Sequence, residues 1–299
     1  MDSVVVLMSS YNGEKFIEEQ IRSIFAQEDV KVTLFVRDDN STDNTRAILN
    51  KLKHSYDQLF ISFGKNLGVA LSFMQLIEEV PITVSYYALA DQDDIWEPRK
   101  LATAIKMLNT NSNFLLYASN QKLVNTNNQF IKIRYSFVPP LDILNIIDKN
   151  YLSGCTMVMK RELILQIREK KPANNLIKQR MHDTWIAAVA SCLGEIVYDS
   201  DAYIRYRQHD NNVIGVKSIS LRIRLIKKVK DHNPYHKIFA DELLMLYGDK
   251  MDKSSKSVLY YYQHCNSMVG KFQLLRSQYF RNTYFRNKIQ FAFKLLLFE

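Results

Sequence analysis

Apolar residues follow two rhythms over the first third of the chain. Short β-branched or aromatic runs, "SVVVLM" at 3–8, "KVTLFVRDD" at 31–39, "LFISF" at 59–63 and "TVSYYALA" at 83–90, predict four strands. Between the first two, "EKFIEEQIRSIFAQ" at 14–27 sets Phe16, Ile17, Ile21, Ile24 and Phe25 at helical spacing. "TDNTRAILNKLKH" reads as a second helix, with Ser41 or Thr42 as its cap, and "GVALSFMQLIEEV" at 68–80 as a third. This alternation predicts an α/β fold, a mostly parallel sheet flanked by helices. Such sheets take ligands outside the carboxyl ends of their strands. Asn12, Asp38, Asp39 and Asp91 all lie where predicted strands end, so they are candidates for one site. The plainer alternative is that they terminate strands and cap helices.

Further along, the pattern is less regular. "NFLLYAS" at 113–119 and "SGCTMVMK" at 153–160 are strand candidates, and "DTWIAAVASCL" at 183–193 reads as a helix. "GEIVYDS" and "AYIRYRQHD" predict two short strands ending near His209, and helical patterns dominate from Lys217 onward. Charge divides at the same place. Residues 1–216 hold 24 Lys and Arg against 25 Asp and Glu, whereas residues 217–299 hold 16 against 6. The net +9 is therefore −1 plus +10, all of the excess lying in the tail. A boundary near 216 follows, separating a domain over 1–216 from a basic, mainly helical region over 217–299.

Composition narrows the class. With 299 residues, 47% hydrophobic and 24% charged, the chain is globular. Cys155, Cys192 and Cys265 are far apart and form no CxxC pair, which argues against a zinc or disulfide framework and suits a reducing cytosol. The N-terminus lacks the basic start and long apolar run of a signal peptide. No apolar stretch is long enough to span a bilayer.

The sharpest chemical feature is "DQDDIW". Asp91, Asp93 and Asp94 place three carboxylates within four residues at a strand end. Their repulsion is costly unless a cation or hydrogen-bond donors compensate it. Mg²⁺ or Mn²⁺ would do so, since hard cations prefer carboxylate oxygens and share them with phosphates. A solvated turn capping the helix of "EPRKLATAIKML" is the competing reading. No GxGxxG or GxxxxGK[ST] motif occurs, so a dinucleotide fold or P-loop has little support.

Several motifs, in order, resemble the family 2 glycosyltransferases of the GT-A fold: "SSYNG", "RDDNSTDNT", "NLG" at 66–68 and "ADQDDIW". "DQDDIWEPRK", "SGCTM", "HDTWIA" and "YRQHDNNVIG" resemble the bacterial rhamnosyltransferase-like branch that builds surface polysaccharides. The likeness covers about residues 3–216, with a nucleotide-sugar half over 1–120 and an acceptor half over 121–216. It implies that Asp39 binds a uracil or thymine imide, with Ser10, Tyr11, Asn12 and Asn66 near the nucleotide. It places Asp91 near the ribose and metal, makes Asp93 the principal ligand of Mn²⁺ or Mg²⁺, and has His209 complete the metal site or contact phosphate. Asp183 becomes the general base. Gly154 borders the sugar, and Asp94, Trp96, Cys155, His182 and Trp185 are candidates for the acceptor side or for support behind it. The family usually carries an acidic residue where this chain has His182, whose role is left open.

The implied activity is single-displacement, inverting transfer of one sugar from a dTDP- or UDP-sugar to a saccharide, lipid-linked at the cytoplasmic leaflet. The QxxRW motif of processive members is absent. Residues 276–298 mix basic and aromatic side chains, which suits an anionic membrane surface, packing on the catalytic domain or a homo-oligomer contact. The rivals are a metal-dependent phosphohydrolase or nuclease, a non-catalytic sugar-nucleotide binder, and a nucleic-acid-binding protein. The near-neutral first 216 residues weigh against the last.

Overall fold

A computed structural model describes residues 1–209, 235–265 and 267–277, with Phe280, Lys288, Ile289, Ala292 and Leu295. The chain forms two compact units. The first comprises residues 1–139, 152–190 and 194–209, and the second 140–151, 191–193 and 210–299.

In the first unit, strands β1 (Asp2–Ser10), β2 (Val30–Asp38), β3 (Leu59–Phe63) and β4 (Tyr86–Ala90) alternate with helices α1 (Ile17–Phe25), α2 (Thr45–Lys53) and α3 (Val69–Glu79). Two residues, β5 (Ile95–Trp96), then lead into α4 (Lys100–Leu108). β6 (Phe114–Val124) and β7 (Phe130–Ile133) follow; after α5 (Ile143–Asp148), which belongs to the second unit, come a 3-10 turn at Gly154–Thr156 and β8 (Val158–Lys160). Helices α6 (Arg161–Glu169), α7 (Asn174–Arg180) and α8 (His182–Leu193) precede the long strand β9 (Glu195–Arg207).

The nine strands make one sheet in the order β3-β2-β1-β4-β8-β6-β9-β5, with β7 paired to β6. Its longest ladders, β1 with β2 and β6 with β9, are parallel. The short strands β5, β7 and β8 pair antiparallel.

Strand alternation explains why β1 sits centrally. Val4, Val6 and Met8 are buried in a core with Ile17, Ile21 and Ile24 of α1 and Leu101 and Ile105 of α4. Val5 and Leu7, equally buried, point to the opposite face. A strand buried on both faces reads as a continuous apolar run, and residues 4–8 are one. Because β1, β2 and β4 are parallel and adjacent, they deliver Ser10, Asp38 and Ala90, and the residues that follow them, to one edge.

The early strands match their sequence expectations within a few residues, and β3 matches at both ends. Three differences have physical causes. The helix at 45–53 is not capped by Ser41 or Thr42. Instead Asp43 accepts the Thr45 N–H at 3.0 Å, and Ser41 is committed to Asp38. The strand expected at 153–160 starts as a 3-10 turn and is extended only over 158–160. The two strands expected before His209 are one, β9, whose register against β6 shifts near Asp199–Ala202. A register shift of this kind interrupts the alternation that sequence reading relies on.

In the second unit the described helices are α5, α9 (Tyr235–Tyr247), α10 (Lys253–Gln263) and α11 (Met268–Arg276). Asp252 caps α10 by accepting the N–H groups of Ser254 and Ser255 at 2.7 and 2.9 Å. Phe239, Leu243, Tyr247, Leu259 and Tyr262 are fully buried. The expected boundary near 216 and most of 276–298 lie outside the described residues.

Leu7 is fully buried, whereas Leu165 is 40% exposed. Leu7→Ala is expected to cost roughly 2–5 kcal/mol in urea unfolding, and Leu165→Ala less than about 1 kcal/mol. Equal losses would contradict the central placement of β1.

Candidate functional site

Three loops meet beyond the ends of β1, β2 and β3, joined mainly by backbone-to-side-chain hydrogen bonds. Asn12, at φ 49°, accepts the Thr42 N–H at 2.9 Å through its side chain, while its own N–H goes to Ser41 Oγ at 2.9 Å. Asn12 thus ties the first loop to the second, a bracing role. Ser10 is buried, and its hydroxyl reaches the Asp38 carboxylate at 3.4 Å. Tyr11 is 47% exposed at the surface of the same corner.

Asp39 is 2% exposed, and its carboxylate accepts the N–H groups of Leu67 at 2.9 Å and Gly68 at 2.8 Å, with Arg37 as its ion-pair partner. Gly68 has φ 80°, a conformation glycine adopts without strain, and this turns its N–H onto Asp39 at the start of α3. Asn66 sits in the same turn, its side chain accepting the Gly68 N–H at 3.2 Å. Asp38 is directed elsewhere, accepting from Arg46 at 2.7 Å and from Ser41. Of the two adjacent acids, Asp39 is therefore the one facing the third loop.

The acidic turn after β4 is held from behind. Arg207 at the end of β9 donates to the Asp93 carbonyl at 3.0 Å and to Glu19 at 2.6 Å, and its N–H lies 3.3 Å from the Asp94 carboxylate. Asp93 and His209 face each other, Oδ2 to Nε2 at 2.7 Å. Asp91, Asp94 and Cys155 form a second group, with one ligand atom of each within 4.8 Å of the others. The expected ligand set of Asp91, Asp93 and His209 is thus divided between an Asp93–His209 pair and an Asp91–Asp94–Cys155 cluster.

Asp94 is fully buried, and its Oδ2 has no hydrogen-bond partner among the described residues. Burial, then the charges of Asp93 and Asp183, push Asp91 up to about 7. Burial and the charges of Asp93 and Asp91 hold Asp94 well above the usual carboxylate range. Crowded acids with an unsatisfied oxygen form a donor set that a divalent cation would relieve. Among the described residues, Asp91, Asp94 and Cys155 bring their ligand atoms close enough together to hold it, with the Asp93–His209 pair beside them and the Asp93 charge acting on Asp91.

Trp96 is buried, with the Lys100 ammonium 3.7 Å from its ring centre. Lys100 is fully buried, and burial brings its pKa down to about 7. Trp96 and Lys100 therefore support the acidic turn from inside. Trp185 is fully buried in α8 and packs as core.

The third element is the start of α8. Asp183 is 8% exposed and accepts its neighbour Thr184's N–H at 2.6 Å and the Gly154 N–H. Burial raises its pKa to about 6 despite these donors. His182 is buried, stacked on Phe73 with ring centres 4.2 Å apart. Both residues flank Gly154. A side chain there would lie 2.8 Å from His182 Nε2 and 3.6 Å from Asp183 Cβ.

Sequence reasoning missed three residues. Arg37, 5% exposed, binds Asp39, Ser72 and the Lys65 carbonyl, so it sets the orientation of Asp39. A charged residue closing an apolar strand was the available signal. Gln92, the spacer in "DQDD", exchanges two 2.9 Å hydrogen bonds with the Tyr11 backbone and fills the space a side chain at Gly13 would need. Arg134 donates to Gln121 at 2.5 Å and Ser153 at 3.0 Å, beside Gly154, and its charge lowers the pKa of Asp183. Nothing in its sequence context marked it.

Comparison with known proteins identifies the family and the fold. The profile of glycosyl transferase family 2 matches residues 5–167. The chain is similar to the dTDP-rhamnosyl transferase RfbG of Shigella flexneri, 33% identical over 70% of this chain and 73% of that one. It also resembles the UDP-Glc:alpha-D-GlcNAc-diphosphoundecaprenol beta-1,3-glucosyltransferase WfgD of Escherichia coli, 32% identical over 54% of this chain and 61% of that one. Among solved structures, S. aureus TarS in complex with UDP-GlcNAc superposes with a TM-score of 0.61 at 18% identity, covering 98% of this chain and 79% of that one. The fold is that of the GT-A glycosyltransferases.

Asp93→Asn is expected to weaken Mn²⁺ binding at least about tenfold in calorimetric titration. Protons compete for a carboxyl whose pKa is raised, so wild-type affinity for Mn²⁺ should fall as the pH drops below about 7. Unchanged Mn²⁺ affinity in Asp93→Asn would remove Asp93 from the metal corner.

Proposed function

Because the chain belongs to glycosyl transferase family 2, we propose that it is an inverting, metal-dependent enzyme adding one sugar to a growing bacterial surface polysaccharide. The observation that carries this reading is Asp183, a buried carboxylate at a helix start whose charge is felt by Asp91 of the acidic turn. It supplies a base near the corner where the donor diphosphate would lie. Membership of a transferase family weighs against hydrolysis or nucleic-acid binding as the primary activity.

In this reading Asp39, held by Arg37 and the Leu67 and Gly68 N–H groups, accepts a hydrogen bond from the imide of a thymine or uracil base. Tyr11 and Asn66 border the nucleotide, and Asp91 lies near the ribose. Asp93 and His209, with Asp91, would hold Mn²⁺ or Mg²⁺, which would supply positive charge to the leaving diphosphate. Asp183 takes the proton from an acceptor hydroxyl, whose oxygen attacks the anomeric carbon from the face opposite the diphosphate. The new glycosidic bond forms as the bond to the diphosphate breaks, inverting the configuration. The N–H groups of Gly154 and Thr184 keep Asp183 in place and favour its ionised form.

The RfbG likeness favours dTDP-rhamnose as donor, with UDP-sugars the alternative. The name of WfgD supports a lipid-diphosphate-linked acceptor. Met268, Val269 and Phe272 on α11 are more than half exposed, with Lys271 and Arg276 in the same helix, which supports a peripheral membrane contact. No described helix is long and apolar enough to cross a membrane.

Asp183→Asn should retain donor binding in calorimetry and lose transfer by about a hundredfold or more. Because Asp183 works as a base only when ionised, kcat/KM of the wild type should fall about tenfold per pH unit below about 6 and level off above it. Wild-type transfer rates from Asp183→Asn would exclude Asp183 as the base.

A further inference from the structure

His182 stands beside Asp183 in the acceptor-side motif, and the transferase chemistry above does not use it. It is 4% exposed, yet neither ring nitrogen has a hydrogen-bond partner among the described residues. An unpaired buried polar group is costly, and native proteins retain few of them. The residue before it, Met181, adopts φ 69° and ψ 153°, a backbone region almost reserved for glycine. The ring packs on Phe73, which fixes its plane, and Nε2 abuts Gly154 so closely that a side chain there would lie 2.8 Å from it. The same glycine faces Asp183. His182 and Asp183 therefore meet at one corner, across Gly154.

From this arrangement we infer that His182 is a specificity-determining residue that hydrogen-bonds a sugar hydroxyl lying next to the reacting centre at Asp183. The inference rests on the transferase reading and deepens it. Burial brings the imidazole's pKa down to about 3, so it is neutral at physiological pH. A neutral imidazole has one N–H donor and one acceptor nitrogen, which matches a hydroxyl, itself both donor and acceptor. It offers no positive charge to a phosphate. The hydroxyl belongs either to the donor sugar or to the acceptor, and binding measurements separate the two.

The test uses the full chain with Mn²⁺ and compares wild type, His182→Leu and His182→Gln after thermal unfolding has shown that the variants fold. Affinities for dTDP and dTDP-rhamnose, and for UDP and UDP-glucose, are measured by calorimetry, and acceptor KM by steady-state transfer. His182→Leu is expected to bind the free nucleoside diphosphate as the wild type does. It should lose about tenfold in affinity for the sugar nucleotide if the hydroxyl is the donor's, or gain about tenfold in acceptor KM if it is the acceptor's. His182→Gln, which keeps a donor and an acceptor, should recover part of that loss.

Unchanged sugar-nucleotide affinity and acceptor KM in His182→Leu would overturn the inference while leaving the transferase reading intact. An equal loss of affinity for free nucleoside diphosphate would also overturn it, since a merely structural role moves both. A wild-type chain that binds no sugar nucleotide would overturn the transferase reading and the inference with it.

Discussion

Repulsion among Asp91, Asp93 and Asp94 is the constraint around which the first unit is arranged. Like charges this close, with Asp94 fully buried, are tolerated only where the surroundings answer them. The protein supplies part of the answer. Arg207 grips the turn through the Asp93 carbonyl, and its N–H faces Asp94. Lys100, held against Trp96, lies near enough for the Asp94 charge to favour its ammonium, although burial brings its pKa down to about 7. Neither satisfies Asp94 Oδ2. The remaining imbalance faces the strand ends, where a cation and a diphosphate would complete it.

That geometry depends on β9 as much as on β4. β9 pairs with β5 immediately after the acidic turn and ends at Arg207, so the turn is fixed at both ends by one sheet. His209, two residues past the strand end, reaches Asp93 for this reason. A site made from residues more than a hundred positions apart is thereby set on hydrogen-bonded backbone and not on a free loop.

The parallel half of the fold was legible because its strands are buried on both faces and its helices carry one apolar stripe. β3, "LFISF", was read to the residue. The antiparallel half left weaker signals. β5 has two residues, and all four residues of β7 are exposed, so neither shows a burial pattern. Asp39, Asp93, Asp183 and His209 were singled out as candidates through motifs that resemble a known family. The structure places Asp93 beside His209 and Asp183 beside Gly154. What the sequence did not show was how the supporting residues pair: Arg37 with Asp39, Gln92 with Tyr11, and Cys155 with Asp91 and Asp94. Such contacts join residues distant in sequence whose types are unremarkable, so only the folded arrangement reveals them. Trp185, which its motif offered for the acceptor side or for support behind it, is fully buried in α8.

The central claim is that a cation and a sugar-nucleotide diphosphate jointly balance the acidic turn. It is tested most directly by the melting temperature of the full chain with Mn²⁺ alone, with dTDP-rhamnose or UDP-glucose alone, and with both together. Ligands that bind only the folded state raise the melting temperature in proportion to their occupancy. The account predicts a larger rise with metal and the correct donor together than the sum of the separate rises. No rise with either sugar nucleotide, with or without Mn²⁺, would contradict it.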